Sequence, residues 1–164
     1  MHGSVEQFLN QVARQGSWVG GGSVAAFSAA LSAALLEKLI RAPATARRLH
    51  RIRRECLQLV QQDADSFARV IRATRTTNRQ AFARSLKAAI DIPRRVHAHA
   101  QTLGTASRSA RRWVNPRFHS DLRCAEALAV AAAKAAVAFI DTNLAWLGDP
   151  AYSRSVRRQL RTAR

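Results

Sequence analysis

The stretch Trp18–Leu36, WVGGGSVAAFSAALSAALL, constrains the fold more than any other. Three consecutive glycines run into Ser23, and Val24 to Leu36 then carries no charge. Glycine serves where a backbone must take positive φ or come close to another group. Three together cost conformational entropy beyond what a plain loop requires. Ser23 is a good N-cap, so the stretch predicts a glycine turn feeding a helix whose first free N–H groups face whatever lies in the turn. With only Ala and Ser between Val24, Phe27, Leu31, Leu35 and Leu36, the helix has no charged face and is expected to be buried on nearly all sides. That describes a central helix of a bundle, one that a second subunit helps to complete. A glycine-rich helix start with no ligand is the plainer alternative. A nucleotide loop fits poorly: the spaced G-x-G-x-x-G and the Lys-Ser/Thr of a P-loop are both missing, and Gln11 to Val19 does not read as a strand.

At 164 residues the chain, 1–164, reads as a single domain. Its apolar content is 48% with only 6% aromatics, so alanine-rich helices packed closely must supply the core. Cys56 and Cys124 lie too far apart for a disulfide framework or metal-ligand spacing. His97 and His99, two apart on a helix, point in different directions and have no third ligand nearby, so no metal is expected. No signal-like start is seen, and the run 24–36 falls short of the roughly 20 apolar residues that a bilayer crossing needs. The expectation is a cytoplasmic protein with no membrane partner.

A net charge of +17 points toward a polyanion. Yet the basic residues are almost all Arg, Lys occurring only at 38, 87 and 134, and Arg and Ala are abundant together, as a GC-rich coding sequence would give. Nucleic acid is therefore not the expected partner.

Along the chain, Ser4–Gln7 has the form of a capping box, and Val5, Phe8, Leu9 and Val12 predict a short helix to Ala13. Trp18, beside the glycines, reads equally as a lid over a pocket or a plug on the bundle end. The buried helix should end near Arg41, before Pro43. Leu49, Ile52, Cys56, Leu59, Val60, Phe67, Val70 and Ile71 predict a helix from Thr45 to about Arg75, with Arg47, Arg51, Arg54 and Gln58 as a solvated stripe. Asp63 and Asp65, two apart, cannot face one point. Thr77–Gln80 signals another helix start, leading to an element that Pro93 should bend and that reaches about Trp113. After the loop Val114–His119, Ser120 is an N-cap candidate and Asp121 stands in the first turn of a helix to Leu147. Asp141 and Asn143 are polar groups late in that apolar helix and need partners or a cavity. Asp149-Pro150 reads as an N-cap with Pro at N1, opening a basic helix or tail over 149–164. The fold expected is all-α, five or six helices with two central alanine-rich ones.

Gly20–Phe27, GGGSVAAF, resembles the glycine-serine signature of the methenyltetrahydrofolate cyclohydrolase and formiminotetrahydrofolate cyclodeaminase family. Asp63-Ala-Asp-Ser-Phe67, Ile92-Pro93, Asn115-Pro116 with Ser120-Asp121, and Asn143-Leu144 resemble further family motifs in the family's order, over about 5–148. The resemblance implies a cyclodeaminase-like helical fold, a homodimer, and a folate cleft lined by the glycine turn and the Asn/Asp loop. It implies hydrolysis of 5,10-methenyltetrahydrofolate to 10-formyltetrahydrofolate, or cyclodeamination of 5-formiminotetrahydrofolate. The tetrahydrofolate derivative would be substrate, with no permanently bound cofactor. Asp121 would be the key carboxylate and Asn115 a positioning amide. The family's Thr-Pro is Trp18-Val19 here, its loop glycine is Val114, its second loop asparagine is Arg117, and a core asparagine is Phe139.

A methenyl bridge is a cation, which a fixed carboxylate stabilises. Asp121 at a helix N-terminus is held as the anion, so the general acid must be another group, and His119 is nearest in sequence. Substrate-binding candidates are Gly20, Gly21, Gly22, Ser23, Trp18, Arg117, Ser120, Asp63, Asp141 and Asn143, with Trp18 and Arg117 expected on the rim of one cleft. Two readings compete with the folate enzyme. One keeps the scaffold for C–N bond chemistry on a non-folate substrate in a biosynthetic pathway. The other is a basic helical nucleic-acid-binding or structural protein.

Overall fold

The computed structural model describes residues 4–162, the side chain of Thr162 excepted. Among these residues there are six α-helices, one 3-10 turn and no strand. They are α1 (Val5–Ala13), α2 (Gly21–Leu39), α3 (Pro43–Thr74), α4 (Arg79–Ala110), α5 (His119–Leu147) and α6 (Pro150–Thr162), with the 3-10 turn at Pro116–Phe118 before α5. The bundle is all-α as expected, and α2 and α5 are its alanine-rich centre.

Local chemistry sets most boundaries. Ser4 accepts from Gln7 N–H while the Gln7 side chain accepts from Ser4 N–H, a complete capping box. Phe8, the buried residue of α1, packs on Phe27 of α2 with ring centroids 4.9 Å apart. Pro43 opens α3 itself, two residues before the expected Thr45, because proline suits the first helical position. Asn78, not Thr77, caps α4 by accepting from Ala81 N–H. Asp149 caps α6 by accepting from Tyr152 N–H at 2.9 Å, and Gly148 ends α5 at φ 65°. Residues 150–162 are helical, while 163 and 164 of the expected basic tail lie outside the described residues.

α2 is sunk among α3, α4 and α5, with Ala26, Ala29, Ala33 and Leu36 fully buried. Its small side chains let α5 come close, and Ser32 Oγ donates to the Ala125 carbonyl at 2.7 Å. The helix is longer than the charge-free run 24–36, and by length and composition it could cross a membrane. Here it is a core helix. Truncating a fully buried residue such as Leu36 to alanine would cost roughly 2–5 kcal/mol. α6 docks separately through Val156 onto Ile90, Ile140 and Leu144.

α2 and α5 run antiparallel: Gly21 lies against Phe139, Ser32 against Ala125, and Lys38 against Asp121. This single relationship decides where the functional candidates lie.

Candidate functional site

At the N-terminal end of α2 a cavity of about 260 Å³ opens between α2, α3, α4 and α5. Gly20, Gly21 and Gly22 form one wall, and Trp18 stands at its mouth, edge-on to Phe67 at 5.9 Å between centroids. Trp146 and Phe139 of α5 add two more ring walls.

The three glycines do not supply positive φ. Gly20, the N-cap, is extended at φ −133°. Two of the three are instead required by close approach. A Cβ at position 21 would stand 2.6 Å from Phe139 Cζ, and one at 22 would stand 2.7 Å from Asp63 Cγ. At position 20 no atom of the described residues lies within 4 Å. Ser23 is not the N-cap either. It is the third residue of α2, fully buried, and its hydroxyl lies 3.0 Å from the Val60 carbonyl and 2.9 Å from Asp63 Oδ2.

Asp63 thus takes the place at the α2 N-terminus that a bound anion would otherwise fill. Burial raises the pKa of its carboxyl above the ordinary value, opposed by the hydroxyl and then the backbone N–H of Ser23. The Ser23 hydroxyl fits both protonation states: it gives its proton to the carboxylate, or takes one from the acid while donating to Val60. Asp63 can therefore hold a proton and release it without rearranging its surroundings. Asp65 points away, accepting from Gln61 on the exposed side.

Asn143 lines the same cavity and donates from Nδ2 to the Ala89 carbonyl at 3.4 Å. That carbonyl is the one Pro93 leaves without a helical donor. The helix continues through Pro93, which lies inside α4. Asp141 does not join the site. It faces outward and pairs with Arg157 of α6 at 3.1 Å, two residues being too few for both side chains to share one helix face.

The second loop lies at the opposite end. Lys38 is 17 residues beyond Gly21 on α2, about 25 Å at the helical rise. There Lys38 Nζ pairs with Asp121 Oδ2 at 3.3 Å, the lysine exposed and the carboxylate partly buried. Asn115 caps the 3-10 turn by accepting from Arg117 N–H. His119 Nε2 donates to the Val114 carbonyl at 3.1 Å. Ser120 is exposed and is not the N-cap of α5, whose cap position is Phe118. The Arg117 guanidinium sits 4.6 Å above the Phe118 ring. Asn115, Arg117 and Lys38 line a separate cavity of about 620 Å³. Within one chain, Trp18 and Arg117 therefore line different cavities, and Asp121 does not meet the glycine turn.

His99 bonds Glu55 at 3.0 Å and His97 bonds Gln101 at 3.2 Å, so the two histidines do diverge. Ser66, missed in the sequence reading, also lines the first cavity. Its i, i+3 spacing from Asp63 was the available signal.

Residues 4–162 match the family described as formiminotransferase-cyclodeaminase. No curated protein matches the chain. Among solved structures, the formiminotetrahydrofolate cyclodeaminase of Thermotoga maritima is similar with a TM-score of 0.87 at 20% identity, over 99% of this chain and 88% of that one. At that identity the likeness shows the fold.

Proposed function

The chain belongs to the formiminotransferase-cyclodeaminase family, and from that premise we propose that it acts on a tetrahydrofolate carrying a one-carbon unit, at the cavity beside Asp63. The observation that supports this reading best is a carboxyl group of raised pKa held against a helix N-terminus inside an aromatic-walled cavity.

Two reactions suit that group. In hydrolysis, water adds to the methenyl carbon and loses a proton to a base. The N5–carbon bond then breaks, N5 takes a proton, and 10-formyltetrahydrofolate and one net proton are released. In cyclodeamination, N10 adds to the formimino carbon, and ammonia leaves with the N10 proton and one supplied by an acid. The methenyl bridge remains. Either course needs one side chain that takes and gives a proton beside a carbon flanked by two nitrogens. Asp63 fills this role, and its raised pKa brings it closer to neutrality than an exposed carboxylate. No resident cofactor is needed. Supplying each substrate separately and following the methenyl chromophore tests the proposal: turnover of neither would overturn it.

The proposal includes a homodimer. Val24 and Leu31 of α2 and Val130 of α5 are exposed apolar residues lying between the two ends of the α2–α5 pair. A two-fold axis across this stripe runs α2 antiparallel to its copy. It carries the Asp121 end of one chain toward the glycine end of the other, and in this arrangement Asn115, Arg117, His119 and Asp121 serve the partner's cavity.

A further inference from the structure

The other side-chain hydroxyls and amides lining the first cavity are engaged. Ser17 Oγ accepts from Val19 N–H at 3.1 Å, Thr142 Oγ1 donates to the Ala138 carbonyl at 3.0 Å, and Asn143 donates to Ala89. Ser66 is different. It is 2% exposed, and its hydroxyl has no hydrogen-bond partner among the described residues. An unpaired buried hydroxyl is destabilising, and alanine would suit this helical position better. Asp63, Ser66, Phe67 and Val70 have the spacing of one helix face, and all four line the cavity.

We infer that Ser66 and Asp63 together read the edge of a flat nitrogen heterocycle, the ring portion of the substrate. This rests on the folate reading and specifies which part of the molecule enters the cavity. The carboxyl stands at the ring nitrogen that carries the one-carbon unit, where it handles the proton, and the hydroxyl one turn away donates to the ring carbonyl oxygen on the same edge. Phe67, Trp18, Phe139 and Trp146 offer ring faces against which a planar system packs. Among the described residues no Lys, Arg or His lines this cavity, so the carboxylate-bearing part of such a substrate extends out of it. Trp18 and Phe67, 46% and 44% exposed, stand at the mouth.

The test is calorimetric titration of the wild type and Ser66→Ala with two probes, 5-formyltetrahydrofolate and 6-methyltetrahydropterin, the second being the ring without the tail. Thermal unfolding of each unliganded protein is measured alongside. The expected variant melts about 2–4 °C higher and binds both probes about tenfold more weakly. Equal affinities for the two proteins overturn the role of Ser66 and leave the folate reading standing. A lower melting point in the variant means that the hydroxyl serves the fold, and also overturns it. Binding of the folate but not of the pterin by the wild type places another part of the substrate in the cavity. Binding of neither removes the folate reading and this inference with it.

Discussion

Asn143 Nδ2 lies 3.4 Å from the carbonyl oxygen of Ala89, the acceptor that Pro93 leaves without its helical donor. A side chain of α5 therefore completes a turn of α4. This gives the polar group late in α5 its partner, and it ties together α4 and α5 where Ala89, Pro93 and Asn143 line the cavity.

The two positions should be energetically coupled. Asn143→Ala is expected to lower stability by about 1 kcal/mol. In a Pro93→Ala background, where a backbone N–H becomes available to Ala89, the same change should cost less. Urea unfolding of the four proteins measures the difference, and strict additivity would show that the bond has no consequence.

Asp63→Asn keeps the shape of the side chain and its bond with Ser23 but cannot exchange a proton. Turnover should fall by about 10²–10⁴-fold with the helical circular dichroism unchanged. A variant that turns over within a few-fold of the wild type would remove Asp63 from the chemistry.

The same carboxyl should leave a mark on stability. Its pKa is raised by folding, so over the window from the ordinary carboxylate value up to the folded one the native state binds more protons than the unfolded state. Stability then falls as pH rises through that window. Glu37, whose pKa is lowered mainly by its bond from Arg53, works in the opposite sense, its contribution being lost as pH falls through its folded pKa. Subtracting the pH–stability curve of Asp63→Asn from that of the wild type isolates the first effect, and a flat difference would contradict it.

Gly22→Ala should reverse the usual sign of a helical glycine substitution. Alanine in a helix interior normally gains about 0.5–1 kcal/mol. Here the new Cβ would press on the Asp63 carboxyl, 2.7 Å from Cγ, and both stability and turnover should drop. Gly104→Ala in α4, whose nearest contact is the flexible end of Arg108 at 3.4 Å, is the control and should stabilise. If both variants gain stability, the Asp63 carboxyl is free to move.

The dimer proposal can be checked by mixing. Asp63→Asn and Asp121→Asn should each be inactive, and a refolded mixture should regain activity, because a heterodimer carries one site with both carboxylates. Sedimentation should give twice the monomer mass. Full activity in Asp121→Asn alone would exclude its loop from the site.

Much of the fold was legible from one-dimensional pattern. The Ser4 capping box, the apolar period of α3 and the Asp149-Pro150 start all lie where the residues place them, because a helix repeats every 3.6 residues and its caps act within a turn. That Asp63 and Asp65 diverge follows from the same local geometry. The two loops that carry the family resemblance were equally visible, but their positions in space were not. Whether Gly20–Gly22 and Asp121 meet depends on the direction in which α5 returns along α2, and an antiparallel return places them about 25 Å apart. Nor does any local signal connect Ser23 with Asp63, forty residues away, or Asn143 with Ala89. Periodicity fixes which face of a helix is buried. Which side chain on a neighbouring helix stands opposite is fixed by the register and separation of the packed helices, and here the glycines at 21 and 22, by admitting Phe139 and Asp63 so closely, decided both.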